Sequence, residues 1–364
     1  MSGWPRDTDY MAKAIKLAAK GVYTTDPNPH VGCVLVKNDQ IVAEGWTQRA
    51  GFAHAEIDAL NKTDAAFGST AYVTLEPCSH HGKTGPCCDA LIAAGIARVV
   101  VAMADPNPLV AGRGLQKLRE AGVEVVVGVL EAEAQRLNRG FFKRMTLGTP
   151  WIRSKLAMSL DGRTAMASGE SQWITSPESR QDVQLWRAQS SAIVTGIDTV
   201  LYDDPRLDAR VDFDLVQPVK VVLDSNLRMP LTAKLLQNPT QVWVVTCNGD
   251  EEKQQALRNA GCKIIQVTGR GGRVNLAETF KLLAELQINT VWVEAGATLN
   301  GALLDSGLVD EWLIYMAPCV LGDQGRGLFH LPGLQRLQDK INLSLTDSRQ
   351  IGPDLRLRYR ATVK

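Results

Sequence analysis

The sequence lacks any apolar run approaching the length of a membrane span. It also lacks a secretion signal, because Arg6 is accompanied by Asp7 and Asp9 in a first segment without an apolar core. The seven cysteines are an odd number and three of them fall within residues 78–88, so they do not form the disulfide framework of a secreted domain. We therefore expect a soluble cytoplasmic protein. A net charge of +1 provides no field that would collect nucleic acid.

The length of 364 residues is too great for one typical domain and suits two. A hydrophobic fraction of 45% allows each half to bury its own core. A helical pattern is broken at residues 146–150, which read Thr-Leu-Gly-Thr-Pro, so we expect domains over residues 1–146 and 147–364. Strands alternate with helices in both halves, which favours α/β sheets covered by helices.

The most informative stretch extends from His54 to Cys87. His54 and Glu56 open an apolar-periodic segment, a predicted strand leads to Cys78, and Cys87 directly follows a proline. One neutral imidazole and two thiolates would give zinc three protein ligands and leave the fourth position for water, as in a catalytic site. Helix N-termini at His54 and Cys87 would favour thiolate over thiol. Glu56 is then the catalytic base that carries a proton from water to the substrate.

This stretch departs from the zinc-deaminase pattern, which is His-x-Glu followed by Pro-Cys-x-x-Cys. Eight residues separate Cys78 from Cys87 instead of two. The insertion leaves Cys88, His80 and His81 as rival ligands, and Cys87 is preferred because it follows a proline, as Cys78 does. A closed structural zinc site would leave the glutamate without a role, so the pattern favours a catalytic site.

Three further residues of the first half are candidates for substrate binding. Asn28 lies between two prolines in a stiff loop, where its amide could read a pyrimidine edge or serve only as a turn residue. His80 and Lys83 lie in the inserted loop and could meet a phosphate of the substrate. The alternative is a solvated polar loop, and Lys83 is the better candidate because it lies between two metal ligands.

The second half has no Gly-x-Gly-x-x-Gly after any predicted strand, so a Rossmann domain is not expected. Instead residues 294–301 predict a turn of small residues between a strand and an apolar helix, where backbone N–H groups could approach a phosphate. Ser176 before Pro177 predicts a helix N-terminus. Helices are predicted over residues 9–20, 115–121, 130–141, 177–189, 252–259 and 277–286. Strands are predicted over residues 33–36, 41–45, 71–75, 99–102, 123–127, 151–157, 192–195, 220–223, 242–245, 263–267 and 290–294.

With both halves laid out, the sequence resembles the family of bifunctional riboflavin-biosynthesis deaminase/reductases over nearly its whole length. The matching motifs are Pro-Asn-Pro-x-Val-Gly at 27–32, His-Ala-Glu at 54–56, the long spacing from Cys78 to Cys87, Lys-Leu-Ala-Met-Ser-Leu-Asp-Gly-Arg at 155–163, Gly-Glu-Ser-Gln-Trp-Ile at 169–174 and Glu-Ala-Gly at 294–296. The resemblance implies an α/β protein with a cytidine-deaminase-like three-layer domain followed by a dihydrofolate-reductase-like domain.

The resemblance also implies two reactions. The first is zinc-dependent hydrolytic deamination of 2,5-diamino-6-ribosylamino-pyrimidinone 5′-phosphate to 5-amino-6-ribosylaminouracil 5′-phosphate. The second is reduction of the ribosyl side chain to ribityl with NADPH. The implied cofactor-binding residues are Ala157, Trp173, Thr199, Asp203, Ser225, Gly296, Ala297, Thr298, Leu299, Asn300, Gly301 and Ala302. The implied substrate-binding residues of the second half are Ser171, Arg187, Leu207, Arg210 and Glu294.

Two of the implied residues have a plain physical reason. Arg187 and Arg210 suit a phosphate, because the guanidinium fork matches phosphate oxygens. Ser225 and Arg228 could recognise the 2′-phosphate that distinguishes NADPH from NADH.

Two rival functions remain at this stage. A nucleic-acid base deaminase is disfavoured by the near-neutral charge and by the absence of interleaved basic and aromatic residues. The other rival is a binding protein in which a site has lost its activity. This reading could hold only for the second half, whose residues are less diagnostic of catalysis than those of the first half. We expect a small phosphorylated pyrimidine as the partner molecule, no nucleic acid or membrane, and a homodimer.

Overall fold

The structure, a computed structural model, describes residues 4–79, 85–107, 111–237 and 241–361. The predicted substrate residues His80 and Lys83 therefore lie outside the described residues. The chain divides into two compact units, the first over Met1–Gly148 with Asp214–Val216 and the second over Thr149–Phe213 with Gln217–Lys364. Within the described part of the chain, every helix is too short or too polar to cross a membrane.

The first unit is a five-stranded sheet with helices. Its elements, in chain order, are α1 (Trp4–Ala18), a 3-10 helix (Ala19–Tyr23), β1 (Gly32–Lys37), β2 (Gln40–Trp46), α2 (Ala55–Leu60), β3 (Thr70–Val73), α3 (Cys87–Ala93), β4 (Arg98–Val101), α4 (Arg113–Glu120), β5 (Glu124–Val127), α5 (Glu131–Leu137) and α6 (Arg139–Leu147). The strand order is β2-β1-β3-β4-β5, with β1 antiparallel to both neighbours and β3, β4 and β5 parallel.

Local sequence explains most of this unit. Asn38 and Asp39 have φ of 52° and 61°, and two successive residues with positive φ form the tight turn that joins β1 to β2, between the strands predicted over residues 33–36 and 41–45. The predicted helix over residues 130–141 is wrong, because the chain breaks into α5 and α6 at Asn138. The side chain of Asn138 hydrogen-bonds the backbone of His30, a contact that an unbroken helix facing solvent would not provide.

The second unit is built on a nine-stranded sheet. Its elements, in chain order, are β6 (Trp151–Ser159), β7 (Arg163–Ala165), α7 (Pro177–Ala188), β8 (Ala192–Gly196), α8 (Ile197–Asp203), β9 (Val219–Leu223), a 3-10 helix (Lys234–Gln237), β10 (Val242–Thr246), α9 (Glu251–Asn259), β11 (Cys262–Gln266), β12 (Gly269–Arg270), β13 (Arg273–Val274), α10 (Leu276–Glu285), β14 (Thr290–Glu294), α11 (Ala297–Asp305), β15 (Glu311–Ala317), β16 (Arg326–Gly327), a 3-10 helix (Leu337–Asp339), β17 (Leu343–Ile351) and β18 (Asp354–Ala361).

The strand order of this sheet is β11-β10-β9-β8-β14-β6-β15-β18-β17. The strands from β11 to β15 are parallel, and β18 and β17 continue the sheet as an antiparallel hairpin. Ligands of open parallel sheets bind at the carboxyl ends of the strands, and β6, β8 and β14 end side by side near the centre. This topology places residues 155–159, 196 and 294 side by side at the carboxyl ends of these strands.

The structure corrects the predicted turn over residues 294–301. Helix α11 begins at Ala297, so the turn consists of Ala295 and Gly296 alone. Gly301 lies inside the helix, where an added Cβ would meet the carbonyl oxygen of His330 at 2.1 Å. Gly301 is therefore required for close packing of the helix against residue 330, and its lack of a side chain needs no phosphate to explain it.

Candidate active sites

A cluster of three ligand-type side chains lies in the first unit. His54 caps the N-terminus of α2, Cys87 begins α3, and Cys78 lies between β3 and that helix. The Nδ1 atom of His54 is 3.3 Å from the Sγ of Cys87 and 3.6 Å from the Sγ of Cys78. All three ligand atoms lie within 4.8 Å of one another, as one metal ion requires. A nitrogen and two sulfur atoms are donors that zinc prefers, so the residues fit this metal.

The rival ligand Cys88 points away from this cluster. Its Sγ atom lies 3.1 Å from the carbonyl oxygen of Pro77 and 3.6 Å from that of Gly114. Burial raises the pKa of Cys88 to about 12, so this thiol stays protonated. The other rivals, His80 and His81, lie outside the described residues. Among the described candidates, the geometry therefore selects Cys87 over Cys88.

Glu56 lies in the first turn of α2, two residues after His54, and only 3% of it is exposed. Burial raises its pKa from 4.5 to about 7, and the neighbouring thiolate of Cys78 acts in the same direction. A hydrogen bond from Cys87 in turn holds the pKa of Cys78 well below its ordinary value. A carboxyl group with a pKa near neutrality can both accept and release a proton at physiological pH, as a general base and acid must.

The loop that carries Asn28 is held in place from a distance. The side chain of Asn138, 3% exposed, accepts a hydrogen bond from the backbone N–H of His30 and donates one to its carbonyl oxygen, both at 2.8 Å. The Asn28 backbone N–H donates to the carbonyl oxygen of Thr25 at 2.9 Å. Among the described residues, none hydrogen-bonds the side-chain amide of Asn28, which leaves it available to a ligand. Asn138 is a positioning residue that our reading of the sequence missed.

His30 gives this loop a pH dependence. Its Nδ1 atom is 2.6 Å from the Oγ1 of Thr25, and burial lowers its pKa from 6.5 to about 4. The unfolded chain therefore binds a proton between these two pH values that the folded chain does not. The contribution to stability is complete above pH 6.5 and is lost as the pH falls toward 4, by at most about 3 kcal/mol.

We expect wild type to lose more thermal stability than His30→Gln between about pH 7.5 and about pH 4.5. Melting curves of both proteins at the two pH values measure the difference. Because the other titrating groups are common to both proteins, an equal loss would contradict the assignment to this imidazole.

A cavity of about 530 Å³ lies in the second unit, at the carboxyl ends of β6, β8 and β14. Residues predicted for the cofactor and for the substrate line it together: Ala157, Ser171, Trp173, Arg187, Thr199, Asp203, Leu207, Arg210 and Glu294. Leu207 has φ of 51°, an uncommon conformation for a residue with a side chain and one that is concentrated at functional sites. The predicted cofactor residues Ser225 and 296–302 lie outside the lining of this cavity.

Arg187 and Glu294 form a buried ion pair in the cavity. The Nε and Nη2 atoms of Arg187 donate to the two carboxylate oxygens of Glu294 at 2.6 and 2.7 Å, and Nη1 donates to the carbonyl oxygen of Asp208 at 2.9 Å. Although burial opposes it, Arg187 lowers the pKa of Glu294 to about 2. Arg187 is engaged within the protein on all three nitrogens of its guanidinium. Arg210 also has a partner, since its Nη1 atom donates to Asp208 at 2.7 Å, but 53% of its side chain is exposed, so it is the predicted phosphate ligand that a substrate can reach.

Lys155 also lines the cavity, and our reading of the sequence gave it no role. Burial lowers the pKa of Lys155. The positive charge of Arg187 lowers it further, and the negative charge of Glu294 acts in the opposite direction. Among the described residues, no hydrogen-bond acceptor contacts its Nζ atom. The signal that could have identified it is a lysine in the middle of the strand β6, whose alternate residues Ile152, Ser154 and Leu156 are buried.

Three side chains that were predicted to bind the cofactor, and that lie outside the cavity, already have partners in the protein. The Oγ atom of Ser225 accepts the backbone N–H of Val274 at 3.0 Å. Arg228, the other candidate for the 2′-phosphate, pairs with Asp198 at 2.7 Å on the surface. Asn300 is buried and hydrogen-bonds the Oγ of Ser154 at 2.7 Å.

The chain is similar to known proteins in both of its halves. The family model described as the RibD C-terminal domain matches residues 150–357, and that of the cytidine and deoxycytidylate deaminase zinc-binding region matches residues 5–103. The riboflavin biosynthesis protein RibD of Escherichia coli K12 is 51% identical, and the match covers 96% of this chain and 98% of the relative. The corresponding protein of Haemophilus influenzae is 49% identical and covers 97% of each chain.

Two solved structures are similar over almost the whole chain. Acinetobacter baumannii RibD, form 2, has a TM-score of 0.92 at 46% identity and covers 98% of this chain and 99% of its own. A Thermotoga maritima protein has a TM-score of 0.85 at 30% identity, with the same two coverages. It is named as a diaminohydroxyphosphoribosylaminopyrimidine deaminase and 5-amino-6-(5-phosphoribosylamino)uracil reductase.

Proposed function

Because this chain belongs to the RibD family of riboflavin-biosynthesis proteins, we propose that it acts on the same kind of phosphorylated pyrimidine twice in succession. It is a bifunctional enzyme, a zinc-dependent deaminase joined to an NADPH-dependent reductase, with a cytidine-deaminase-like domain before a dihydrofolate-reductase-like domain. We assign deamination of 2,5-diamino-6-ribosylamino-pyrimidinone 5′-phosphate to residues 1–146. Reduction of the resulting ribosylaminouracil phosphate is assigned to residues 147–364.

One observation carries the deaminase assignment: His54, Cys78 and Cys87 converge beside a buried glutamate. When bound, zinc would act as a Lewis acid that makes water nucleophilic near neutral pH. Glu56 takes a proton from the attacking water and delivers it to the departing amino group, a transfer that its raised pKa permits. Asn28 holds the pyrimidine by hydrogen bonds from its free amide. His80 and Lys83 remain proposed contacts to the substrate phosphate.

In the second unit the protein mainly positions its two ligands. NADPH supplies the hydride, and the residues around it supply orientation and charge. Glu294, kept ionised by Arg187, accepts hydrogen bonds from hydroxyl groups of the ribosyl chain. Lys155 presents an amine of lowered pKa that can exchange a proton with the substrate. Ser171 and Leu207 complete the proposed substrate contacts.

For the cofactor we propose contacts along the same edge of the sheet. Ala157, Trp173, Thr199 and Asp203 line the cavity, which supports the proposal that they contact the nicotinamide half. The N-terminus of α11, over Gly296 and Ala297–Ala302, is proposed to face the pyrophosphate, because free N–H groups at a helix start favour an anion. Ser225, which follows β9, is proposed for the adenosine half.

Replacing Arg210 by alanine should raise the KM for the ribosylaminouracil phosphate by about 10- to 100-fold, because a charge-assisted contact to phosphate contributes about 1.5–3 kcal/mol. The kcat should change much less, since the residue binds a part of the substrate that does not react. Steady-state oxidation of NADPH measures both constants. Arg258→Ala, on the surface helix α9 of the same unit, is the control. A KM as low as that of wild type would argue against Arg210 as the phosphate ligand.

We further propose that the enzyme is a cytoplasmic homodimer with no nucleic-acid partner. Light scattering on purified protein should give twice the chain mass of 39.7 kDa. A mass equal to one chain at micromolar concentration would rule out the dimer without affecting either catalytic assignment.

The assay that tests the overall function follows NADPH consumption by the purified enzyme with the diamino-pyrimidinone phosphate as sole substrate. Consumption requires both reactions, because the reductase acts on the deaminated compound. Failure with that substrate but activity with the uracil compound would remove the deaminase assignment. Failure with both compounds would remove the reductase assignment.

A further inference from the structure

A buried carboxylate that the chemistry above does not use lies two residues before the ligand Cys78. Glu76 is 5% exposed, and a buried carboxylate is stable only when its oxygens are hydrogen-bonded. Four backbone N–H groups donate to it: those of Asp105 and Gly112 to Oε2 at 3.0 and 2.9 Å, and those of Gly114 and Leu115 to Oε1 at 2.9 and 3.3 Å. Glu76 therefore joins the segment that carries Cys78 to residues well separated from it in sequence.

Two of these donors belong to the first turn of α4. The residue that precedes the helix, Gly112, has φ of 77° and no side chain to cap it. The carboxylate of Glu76 takes over this capping function, and its negative charge faces the positive end of the helix. The N-terminus of α4 is thus fixed to residue 76.

The same helix start also contacts the neighbour of the other thiolate ligand. The thiol of Cys88 donates to the carbonyl oxygen of Pro77 at 3.1 Å, and its Sγ atom also lies 3.6 Å from the carbonyl oxygen of Gly114. There is no spare room at this point, since a Cβ added at Gly114 would lie 2.2 Å from the oxygen of Pro77 and 3.1 Å from the Sγ of Cys88. Cys78 directly follows Pro77, and Cys87 directly precedes Cys88. Each thiolate ligand is therefore one residue from a common anchor.

The sequence explains why the two thiolate ligands require such an anchor. Where two residues separate the cysteines, as in the short deaminase pattern, one helical turn can fix both thiolates. Here eight residues separate them, and Cys78 lies outside α3. We propose that Glu76 is a positioning residue of the metal centre, which sets the separation of the two thiolates by holding both of their segments against α4. This inference rests on the proposed zinc site.

The test is Glu76→Gln in the full chain. Glutamine keeps the shape, but its NH₂ group would face two N–H donors and cannot accept from them. Loss of an outer-shell contact typically weakens metal binding by about 10- to 100-fold, and we expect that loss in competition with a chromophoric zinc chelator. Deaminase activity should fall and recover with added zinc. The reductase activity of the same chain should not change.

Asp7→Asn is the matched control. Asp7 is also a buried carboxylate of the first unit, 7% exposed, but it binds Arg98 at 2.9 Å and Tyr72 at 2.8 Å, and neither of these neighbours a metal ligand in sequence. We expect this variant to lose thermal stability and to keep the zinc affinity of wild type. Wild-type zinc affinity in Glu76→Gln, or an equal loss of zinc in Asp7→Asn, would overturn the inference.

If Glu76→Gln does not fold, Gly114→Ala provides the same test, because its Cβ must displace the carbonyl of Pro77. Zinc affinity unchanged in a folded Gly114→Ala would also overturn the inference. A wild-type enzyme that binds no zinc would instead refute the proposed metal centre, so the two failures are distinguishable.

Discussion

Replacing Glu56 by glutamine should reduce deamination by about 10²- to 10⁴-fold, the usual contribution of a general acid–base residue. The reason is that the side chain keeps its size and its place in the first turn of α2 but can no longer take up a proton. With the diamino-pyrimidinone phosphate as substrate, NADPH consumption should fall by the same factor, because the second reaction then waits for the first.

The uracil compound separates this effect from a loss of reductase activity. Supplied directly to Glu56→Gln, it should be reduced at the wild-type rate. Asp58→Asn is the matched control on the same helix, since Asp58 accepts the backbone N–H of Trp46 at 3.1 Å and pairs with Lys62 at 2.8 Å. It should deaminate within a few-fold of wild type. Deamination by Glu56→Gln at a comparable rate would exclude the glutamate as the proton carrier.

The second large effect is expected from a pair of adjacent cysteines. Cys87→Ser should lower zinc affinity by more than about 100-fold, beyond the range typical of outer-shell residues, because a ligand atom is replaced. Cys88→Ser should bind zinc as wild type does, since a hydroxyl can still donate to the carbonyl of Pro77. Metal content after dialysis against a chelator measures both.

Equal zinc content in the two serine variants would show that the chain does not discriminate between the neighbours as the geometry indicates. Circular dichroism of the same samples reports whether the first unit is folded, and reductase activity reports on the second unit. A protein that loses zinc but keeps its circular dichroism spectrum and its reductase activity has been changed only at the metal centre.

The sequence predicts those features of the sites that depend on neighbouring residues, and it does not predict contacts between residues that are far apart in the chain. The turn at Asn38 and Asp39 was predictable, because its conformation is local. The choice of Cys87 over Cys88 could be suggested by the preceding proline, but the geometric reason for it is the contact of Cys88 with Gly114, which belongs to another element. A pattern in neighbouring residues cannot indicate a contact between two elements that are distant in the sequence.

The second site shows the same limit. Sequence motifs brought Arg187 and Glu294 into one predicted site, yet they did not indicate that the two side chains bind each other across 107 residues. The prediction of Arg187 as a phosphate clamp ignored this partner. The hairpin of β17 and β18 was not predicted at all, although the alternation of apolar residues with arginine in residues 355–360 is typical of a strand.

The bond between Asn138 and His30 has a consequence for how small a working deaminase can be made. The recognisable zinc-binding region ends at residue 103 and the last strand of its sheet ends at Val127. A fragment cut at either point would contain every metal ligand and Glu56, but it would leave the backbone of His30 without its partner and the loop of Asn28 without support. The smallest autonomous catalyst must therefore extend through the helices that follow the sheet, which makes those helices part of the active site's framework and not merely a connection to the next domain.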